Sequence, residues 1–338
     1  MPRSPRVDLD FRRIPTIMDA DEILDRAFRR AARVTIMARD PMERFKATES
    51  ARVRTVQNLV DATLDRYVRK YPNFDELSPF YGELAGVLID LDKTRKSLGA
   101  LGWARKQTVK LGDEAVAKIK AARREDTVLN AKKAVYGRIS SVVKQVDSDL
   151  RWLNGARDEL KRLPTIDPEV PTIVVAGYPN VGKSSLVRKV SSGEPEVAPY
   201  PFTTKGITIG HFEKRRIRYQ IVDTPGILDR KMEERNAIER QAVLALKHLS
   251  DVIVFMLDPS ERCGYTIEEQ ERLLKEVSGM FPEATIIVAE NKVDVGEGKY
   301  TKAKDRHRTS TETGEGLDEL MAAAIKVASK KASLPSRR

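Results

Sequence analysis

The residues Gly177-Tyr178-Pro179-Asn180-Val181-Gly182-Lys183-Ser184 follow the pattern G-x-x-x-x-G-K-[ST], with Ser185 next in the chain. Two glycines at this spacing let successive backbone N–H groups turn toward one anion, which suits a chain of phosphates. Lys183 supplies a cation for β- and γ-phosphate charge, and the Ser184 hydroxyl is a hard oxygen donor suited to Mg²⁺. Further on, Asp223-Thr224-Pro225-Gly226 offers a carboxylate to hold Mg²⁺ through water. Gly226 there offers a backbone N–H that no side chain screens from a γ-phosphate. Asn291-Lys292-Val293-Asp294 is the third token. The Asp294 carboxylate can accept from both N1–H and the 2-amino group of guanine, donors that adenine lacks, so adenine would leave it desolvated and unpaired. Asn291 is within reach of the purine's Hoogsteen side, and the Lys292 stem can cover the ring. Ser310-Thr311-Glu312-Thr313-Gly314 could supply backbone N–H groups to guanine O6. The chemistry expected is therefore Mg²⁺-dependent binding of GTP and GDP.

These tokens need rigid elements behind them. Thr172-Ile-Val-Val-Ala176, Ile217 to Val222, Val252 to Leu257 and Thr285 to Glu290 read as strands, three of them ending where a token begins. Amphipathic stretches alternate with them, which predicts an α/β domain with a mainly parallel sheet over 172–332. Residues 296–305 are polar and too few for a full helix and strand, so the last crossover should be abbreviated. Ahead of this domain, Pro164, Pro168 and Pro171 bracket a linker over 164–171. Residues 1–163 read as an all-α bundle. A helix around Ile23, Leu24, Ala27, Phe28 and Ala31 opens after Asp19 or Asp21, and a second is expected from about Ser50 to Tyr71. Leu111-Gly112-Asp113 looks like a helix stop and a new N-cap, the turn of an antiparallel hairpin. Ile139, Val142, Val143, Val146, Leu150, Leu153, Leu160 and Leu163 form an apolar seam at helical spacing.

Composition narrows the setting. The chain of 338 residues exceeds what one hydrophobic core usually serves, so two domains are expected. No apolar run approaches the roughly 20 residues of a membrane span, and the first residues carry no apolar signal segment. One cysteine, Cys263, allows neither an internal disulfide nor a cysteine-based metal site. The expectation is a cytoplasmic monomer with no membrane partner. Net charge is +11, and residues 1–170 hold 34 Lys+Arg against 26 Asp+Glu, so +8 of it lies in the helical half. Acidic partners suit such a surface, although charge alone does not name them.

Taken together, the three tokens and residues 310–314 resemble the nucleotide boxes of translation-factor-related GTPases. Tyr200-Pro201-Phe202-Thr203-Thr204-Lys205-Gly206 resembles the second box of the Obg-type group, which implies nucleotide contacts by Phe202, Thr203 and Thr204 and Mg²⁺ ligation by Thr204. With a helical N-terminal domain, the whole chain resembles the nucleolar GTP-binding protein 1 family in its short archaeal form. That resemblance implies a slow, partner-stimulated GTPase acting as a switch in large ribosomal subunit assembly. Its partners would then be rRNA and ribosomal proteins of the precursor. Arg29, Arg30, Arg33, Lys118, Lys120, Arg123, Arg124, Lys132 and Lys133 are candidates for phosphate contacts. A GTP-regulated module that grips a protein without touching RNA is the alternative, and basic runs on helices also occur as plain solvated faces. A short basic tail occupies 333–338.

The resemblance also frames the hydrolysis chemistry. Ile227 stands where Ras-like chains have a water-orienting glutamine, so positioning and charge stabilisation must come from elsewhere. Lys183, Thr204 and Gly226 are the groups expected around the transferred phosphoryl. In related GTPases with an apolar residue here, an asparagine at the place of Asn180 helps hold K⁺. Asn180 thus admits two readings, K⁺-stimulated hydrolysis or a simple brace for the loop backbone. Thr311 stands where the last box usually has alanine.

Overall fold

The computed structural model describes residues 11–201, 206–229, 237–296, 298–299 and 305–332. Contacts divide the chain into two units, one made of 1–76 and 88–161 and the other of 77–87 and 162–338.

The first unit is helical. Its elements are α1 (Ala20–Ala32), α2 (Pro41–Lys70), α4 (Leu91–Ala121), α5 (Glu125–Gln145) and α6 (Asp147–Leu160), with α3 (Pro79–Leu88) falling mostly in the other unit. Local signals fix the starts. Asp19 caps α1 in a reciprocal box with Glu22, and Asp40 and Asp90 cap α2 and α4 by accepting from Glu43 N–H and Lys93 N–H. The helix expected from Ser50 begins at Pro41, because Asp40-Pro41 is itself a start signal.

The stop expected at Leu111-Gly112-Asp113 is absent, and α4 runs through it. Gly112 is there for close approach: a Cβ would lie 2.5 Å from Gln57 Oε1 on α2. Gln57 in turn donates to the Val109 carbonyl (3.0 Å) and to Asp113 (3.1 Å), so the polar pair that imitates a cap is an interhelix latch. The turn instead falls between α4 and α5. The seam over 139–163 is buried as expected except at Val142, but it spans two helices, α5 and α6, which meet at Val146.

The second unit carries β1 (Thr172–Ala176), α7 (Lys183–Val190), β2 (Glu196–Ala198), β3 (Ile207–Lys214), β4 (Ile217–Asp223) and α8 (Ala237–Ala245). After them come β5 (Val252–Leu257), α9 (Ile267–Met280), β6 (Thr285–Glu290), β7 (Arg306–Arg308) and α10 (Leu317–Ala332). Among the described residues these strands form one sheet in the order β2-β3-β4-β1-β5-β6-β7. The pairs β1–β4, β1–β5, β5–β6 and β6–β7 are parallel, while β2–β3 and β3–β4 are antiparallel. The sheet is thus mainly parallel, as expected. Strands β1 and β5 are buried throughout, in keeping with a central position under helices. Strands β2, β3 and β7 were not foreseen: β2 and β7 are three residues each, and β3 carries a charged end beyond a half-buried alternation. Between β6 and β7 the described residues hold a single 3-10 turn, Val293–Val295, and most of the stretch 296–305 expected to be an abbreviated crossover lies outside the described residues.

Residues 77–87 depart from the bundle expected over 1–163. The Tyr81 hydroxyl accepts from Ile166 N–H (2.8 Å) and donates to the Pro164 carbonyl (2.8 Å). Glu83 meets His248 (2.9 Å) and Lys247 (3.5 Å) just after α8. Helix α3 is therefore bonded into the sheet-bearing unit by its own polar side chains. Among the described residues no helix is long and apolar enough to cross a membrane.

Candidate functional site: a phosphate cradle and a base loop at the strand ends

Strand β1 delivers the chain into the cradle, and the loop that follows is held in shape from three sides. Gly177 N–H donates to the Leu228 carbonyl (3.2 Å), tying the loop to the turn after β4. Asn180 and Gly182 take left-handed backbone, with φ of 63° and 109°. Asparagine is among the few side chains that tolerate this region. At Gly182 the requirement is also spatial, since a Cβ would lie 2.2 Å from Asn291 Nδ2. The buried Lys183 side chain lies back along the loop and donates to the carbonyls of Gly177 (2.8 Å) and Tyr178 (2.9 Å). Helix α7 then starts at Lys183 with its N-terminal dipole at the loop. Val181 is buried, Pro179 half-buried, and Asn180, Ser184 and Ser185 are exposed.

Beside the cradle, the Ser184 hydroxyl donates to Asp223 Oδ2 at 2.5 Å. Asp223 is fully buried at the end of β4, and its Oδ1 has no hydrogen-bond partner among the described residues. Burial pushes this carboxyl above the usual range, against the bond from Ser184 and the nearby Lys183 charge. An orphaned buried carboxylate oxygen next to a serine hydroxyl is a hard-oxygen donor set, so the residues present fit Mg²⁺. Thr224 Oγ1 donates to the Val175 carbonyl (3.1 Å), which keeps the turn on the sheet. Gly226, expected to offer its N–H to a phosphate, has φ of 77° and donates that N–H to Asp229 Oδ2 at 2.7 Å. Ile227 is buried, so its side chain does not reach solvent water.

The base loop follows β6. Asn291 is fully buried, and both N–H bonds of its amide are committed inside the protein, to the Val181 carbonyl (2.8 Å) and Thr311 Oγ1 (3.1 Å). Its Oδ1 accepts from Thr311 N–H (3.0 Å). Asn291 thus clamps the cradle to the loop after β7, a role the sequence did not suggest. The Thr311 N–H expected for guanine O6 is used in that clamp, and Ser310 N–H donates to the Glu315 carbonyl (2.9 Å). Glu312 is exposed, and its carbonyl accepts from Lys189 Nζ (3.0 Å). Asp294 is exposed and its carboxylate has no partner among the described residues. Lys292, with φ of 66°, sends its ammonium to Asp258 Oδ2 at 2.6 Å.

Asp258 is the residue that sequence reasoning missed. It is fully buried directly after β5 and also accepts from Ser260 and from Cys263 N–H. The signal was present: a buried apolar run ends on a carboxylate, as it does at Asp223. The second-box residues Phe202, Thr203 and Thr204 lie outside the described residues, as does the tail 333–338. The first residue of that box, Tyr200, is anchored: its buried hydroxyl donates to the Ala242 carbonyl (2.7 Å) and is pushed up in pKa by burial.

Direct bonds therefore join Lys183 to Gly177 and Tyr178, Ser184 to Asp223, Asn291 to Val181 and Thr311, and Lys292 to Asp258, all at the carboxyl ends of β1, β4, β5, β6 and β7, where open α/β sheets bind ligands. Comparison with known proteins relates most of the chain to one family. The description "NOG1 N-terminal helical domain" matches residues 11–167, and "Nucleolar GTP-binding protein 1 (NOG1)" matches residues 237–294. The protein MJ1408 of Methanocaldococcus jannaschii is 41% identical over 296 residues, covering 86% of this chain and 83% of that protein. Nucleolar GTP-binding protein 1 of Drosophila melanogaster is 36% identical over 289 residues, 85% of this chain but 44% of the fly protein, so the chain spans less than half of that relative's length. A crystal structure of nucleolar GTP-binding protein 1 from Plasmodium falciparum is 34% identical, with a TM-score of 0.44 over 50% of this chain and 91% of that one. On its sequence relationship to these proteins, this chain belongs to the nucleolar GTP-binding protein 1 family.

Proposed function

We propose that the chain binds GTP and GDP and hydrolyses GTP slowly, as a switch in assembly of the large ribosomal subunit. The observation that carries the nucleotide assignment is Asp294: an exposed carboxylate, without a partner among the described residues, on a base loop that Asn291 bonds directly to a phosphate cradle. An acceptor so placed suits guanine and penalises adenine. Calorimetry tests it. GTP and GDP should bind far more tightly than ATP, and Asp294→Asn should erase that preference; equal affinities for ATP and GTP in the wild type would refute it.

In this reading Lys183 exchanges its bonds to the Gly177 and Tyr178 carbonyls for phosphate oxygens. Ser184 and Asp223, joined by Thr204, would hold Mg²⁺, which neutralises charge on the phosphates when bound. Gly226 N–H would exchange Asp229 for the γ-phosphate, so the turn after β4 takes a different arrangement with GTP than without it. Because Ile227 is buried and apolar, it cannot orient water, and turnover should be slow until a partner completes the site. K⁺ beside the exposed Asn180 is the proposed charge-stabilising group; faster hydrolysis in KCl than in matched NaCl is expected, and equal rates would exclude it.

The bundle supports the ribosomal part. Arg30, Arg33, Lys118, Lys120, Arg123 and Lys133 are exposed with no ion-pair partner among the described residues. Lys132 is different, since it pairs with the buried Glu49 (2.6 Å) and leaves the set of phosphate candidates. Exposed Trp103 (40%) adds an indole on the α4 face that also carries Lys96, Lys106 and Lys110, a combination suited to unpaired RNA bases. Ribosomal subunits should be retained by the protein with a non-hydrolysable GTP analogue and released with GDP. Exposed Met37 (84%) and Ile36 (38%) favour the alternative, a protein partner held by apolar contact. Raising salt separates the two, because phosphate contacts weaken by orders of magnitude and apolar ones do not.

A further inference from the structure

The turn between β5 and α9 is built more heavily than a connection requires. Gln270, almost fully buried in the first turn of α9, accepts from Asp258 N–H (2.7 Å) and donates to the carbonyls of Asp258 (3.0 Å) and Tyr265 (2.9 Å). Thr266 caps α9 in a reciprocal box with Glu269. From this fixed turn two side chains reach out. Tyr265 stacks on Tyr178 of the cradle, ring centroids 4.0 Å apart and planes inclined by 19°. Asp258 holds the Lys292 ammonium, with a side chain wholly buried on the aspartate and 23% exposed on the lysine. Burial opposes the Asp258 charge, but the bonds from Lys292 and Ser260 outweigh it, so the carboxyl lies below its usual range and stays ionised.

Lys292 pays for this contact with left-handed backbone, which a lysine adopts only when its surroundings dictate it. Two residues on, Asp294 is exposed on the same short turn. With the ammonium drawn away to Asp258, what remains at the surface of the lysine is its aliphatic stem. A stem pinned at both ends is a flat apolar platform, and it costs a ligand no side-chain entropy to use.

We propose that Asp258 is a positioning residue for the purine: it tethers Lys292 so that the lysine stem forms the platform for one face of the base. The proposal rests on the guanine-nucleotide reading but adds a residue that never touches the ligand. A face contact is blind to substituents on the ring edge, whereas Asp294 reads that edge. The two residues should therefore separate cleanly in ligand series.

The test is a double-mutant cycle on nucleotide affinity in the full chain, with Asp258→Asn and Lys292→Met. Asparagine keeps the size of Asp258 and a carbonyl for Ser260, and methionine keeps an apolar stem without the ammonium. Each single variant should weaken GTP, GDP and ITP by the same factor, about tenfold, leaving the GTP/ITP ratio at its wild-type value. The double variant should be no weaker than either single one. Lys292→Arg, which still reaches a carboxylate, should restore most of the affinity. Multiplying losses in the double variant, or a changed GTP/ITP ratio in Asp258→Asn, would overturn the proposal. Should Asp258→Asn fail to unfold cooperatively, the contrast between Lys292→Met and Lys292→Arg decides alone: equal weakening by both refutes the tether. Failure of the guanine reading shows separately, as equal ATP and GTP affinities in the wild type, and the same cycle is then read with ATP, whose purine face is available to the same platform.

Discussion

Both units bury polar side chains, and they place them for different ends. In the bundle, Gln57, Thr94 and Ser97 sit between helices and bond across them: Gln57 to Asp113 on α4, Thr94 to Trp152 and Ser97 to Asp149 on α6. These latches lie scattered along seams of apolar residues and set which helix lies against which. In the sheet-bearing unit Gln220 and Thr172 bond to each other at the far end of the sheet, but the buried charged groups Lys183, Asp223, Asp258 and Glu290, with Asn291, gather at the carboxyl ends of the strands. They bond loops to loops. The difference teaches where each unit keeps its stability and where it keeps its chemistry: a bundle change should alter folding and spare the ligand, and a strand-end change should do the reverse.

The sharpest way to break that division is in the bundle core. Leu150 on α6 is fully buried, and Leu150→Ala should destabilise the helical unit by about 3 kcal/mol, from lost burial and the cavity left behind. Thermal unfolding should show it while GTP affinity, titrated at low temperature, stays within twofold. A parallel loss of nucleotide affinity would mean the units do not divide the labour. Next in size is Lys183→Ala. It removes a buried ammonium from the cradle and should weaken GTP by about two decades, a little under 3 kcal/mol, in a fluorescent-nucleotide titration. The bundle's unfolding should not move.

Gly112→Ala probes the latch. The added Cβ would strike Gln57 Oε1 at 2.5 Å, and overpacking at such a contact costs about 2 kcal/mol. Pairing it with Gln57→Ala, which removes the obstructing side chain, should recover part of the loss. Failure of that rescue in a melting experiment would place the cost elsewhere than in the latch.

The same comparison explains what was legible in the sequence. Of the four strands foreseen, β1 and β5 were readable as unbroken buried apolar runs and β4 and β6 as shorter apolar stretches ending on polar residues, and the tokens because backbone turns and hard-oxygen donors admit few residue types. In the bundle, periodicity gave the buried seam, but boundaries failed where one residue type serves two purposes. Gly112 and Asp113 look the same whether they end a helix or let a neighbour approach, and only Gln57, 55 positions away in sequence, decides between them. Within the site, the residue types were legible and their partners were not. Asn291 bonds to Val181 and Thr311, and Lys292 to Asp258; such pairings are set by how the strands order in the sheet, which no local pattern encodes. The order β1-β5-β6 brings the loops after these strands side by side, and that adjacency makes the clamp.

The smallest expected effect is the one that separates stability from chemistry within a single residue. Asp223 is buried with one oxygen unpartnered among the described residues, and its pKa is raised, chiefly by burial. The sign follows from linkage. The folded state binds this proton more tightly than the unfolded chain does, so the contribution of Asp223 is favourable at low pH. It is lost as pH rises from the unfolded value of 3.8 through the folded one, and at neutral pH the ionised group is a cost. Asp223→Asn removes that charge and keeps an acceptor for Ser184. In the absence of nucleotide and Mg²⁺ it should raise Tm by a few degrees at pH 7, and the gain should shrink as pH falls toward and below 3.8, where the wild-type carboxyl takes up its proton. With Mg²⁺ and GTP present the order should reverse, because the variant lacks the anionic oxygen that suits the cation. A lower Tm for the ligand-free variant at pH 7 would mean that Asp223 belongs to the strand-end framework and not to the site, and the contrast between the two units would lose its clearest marker.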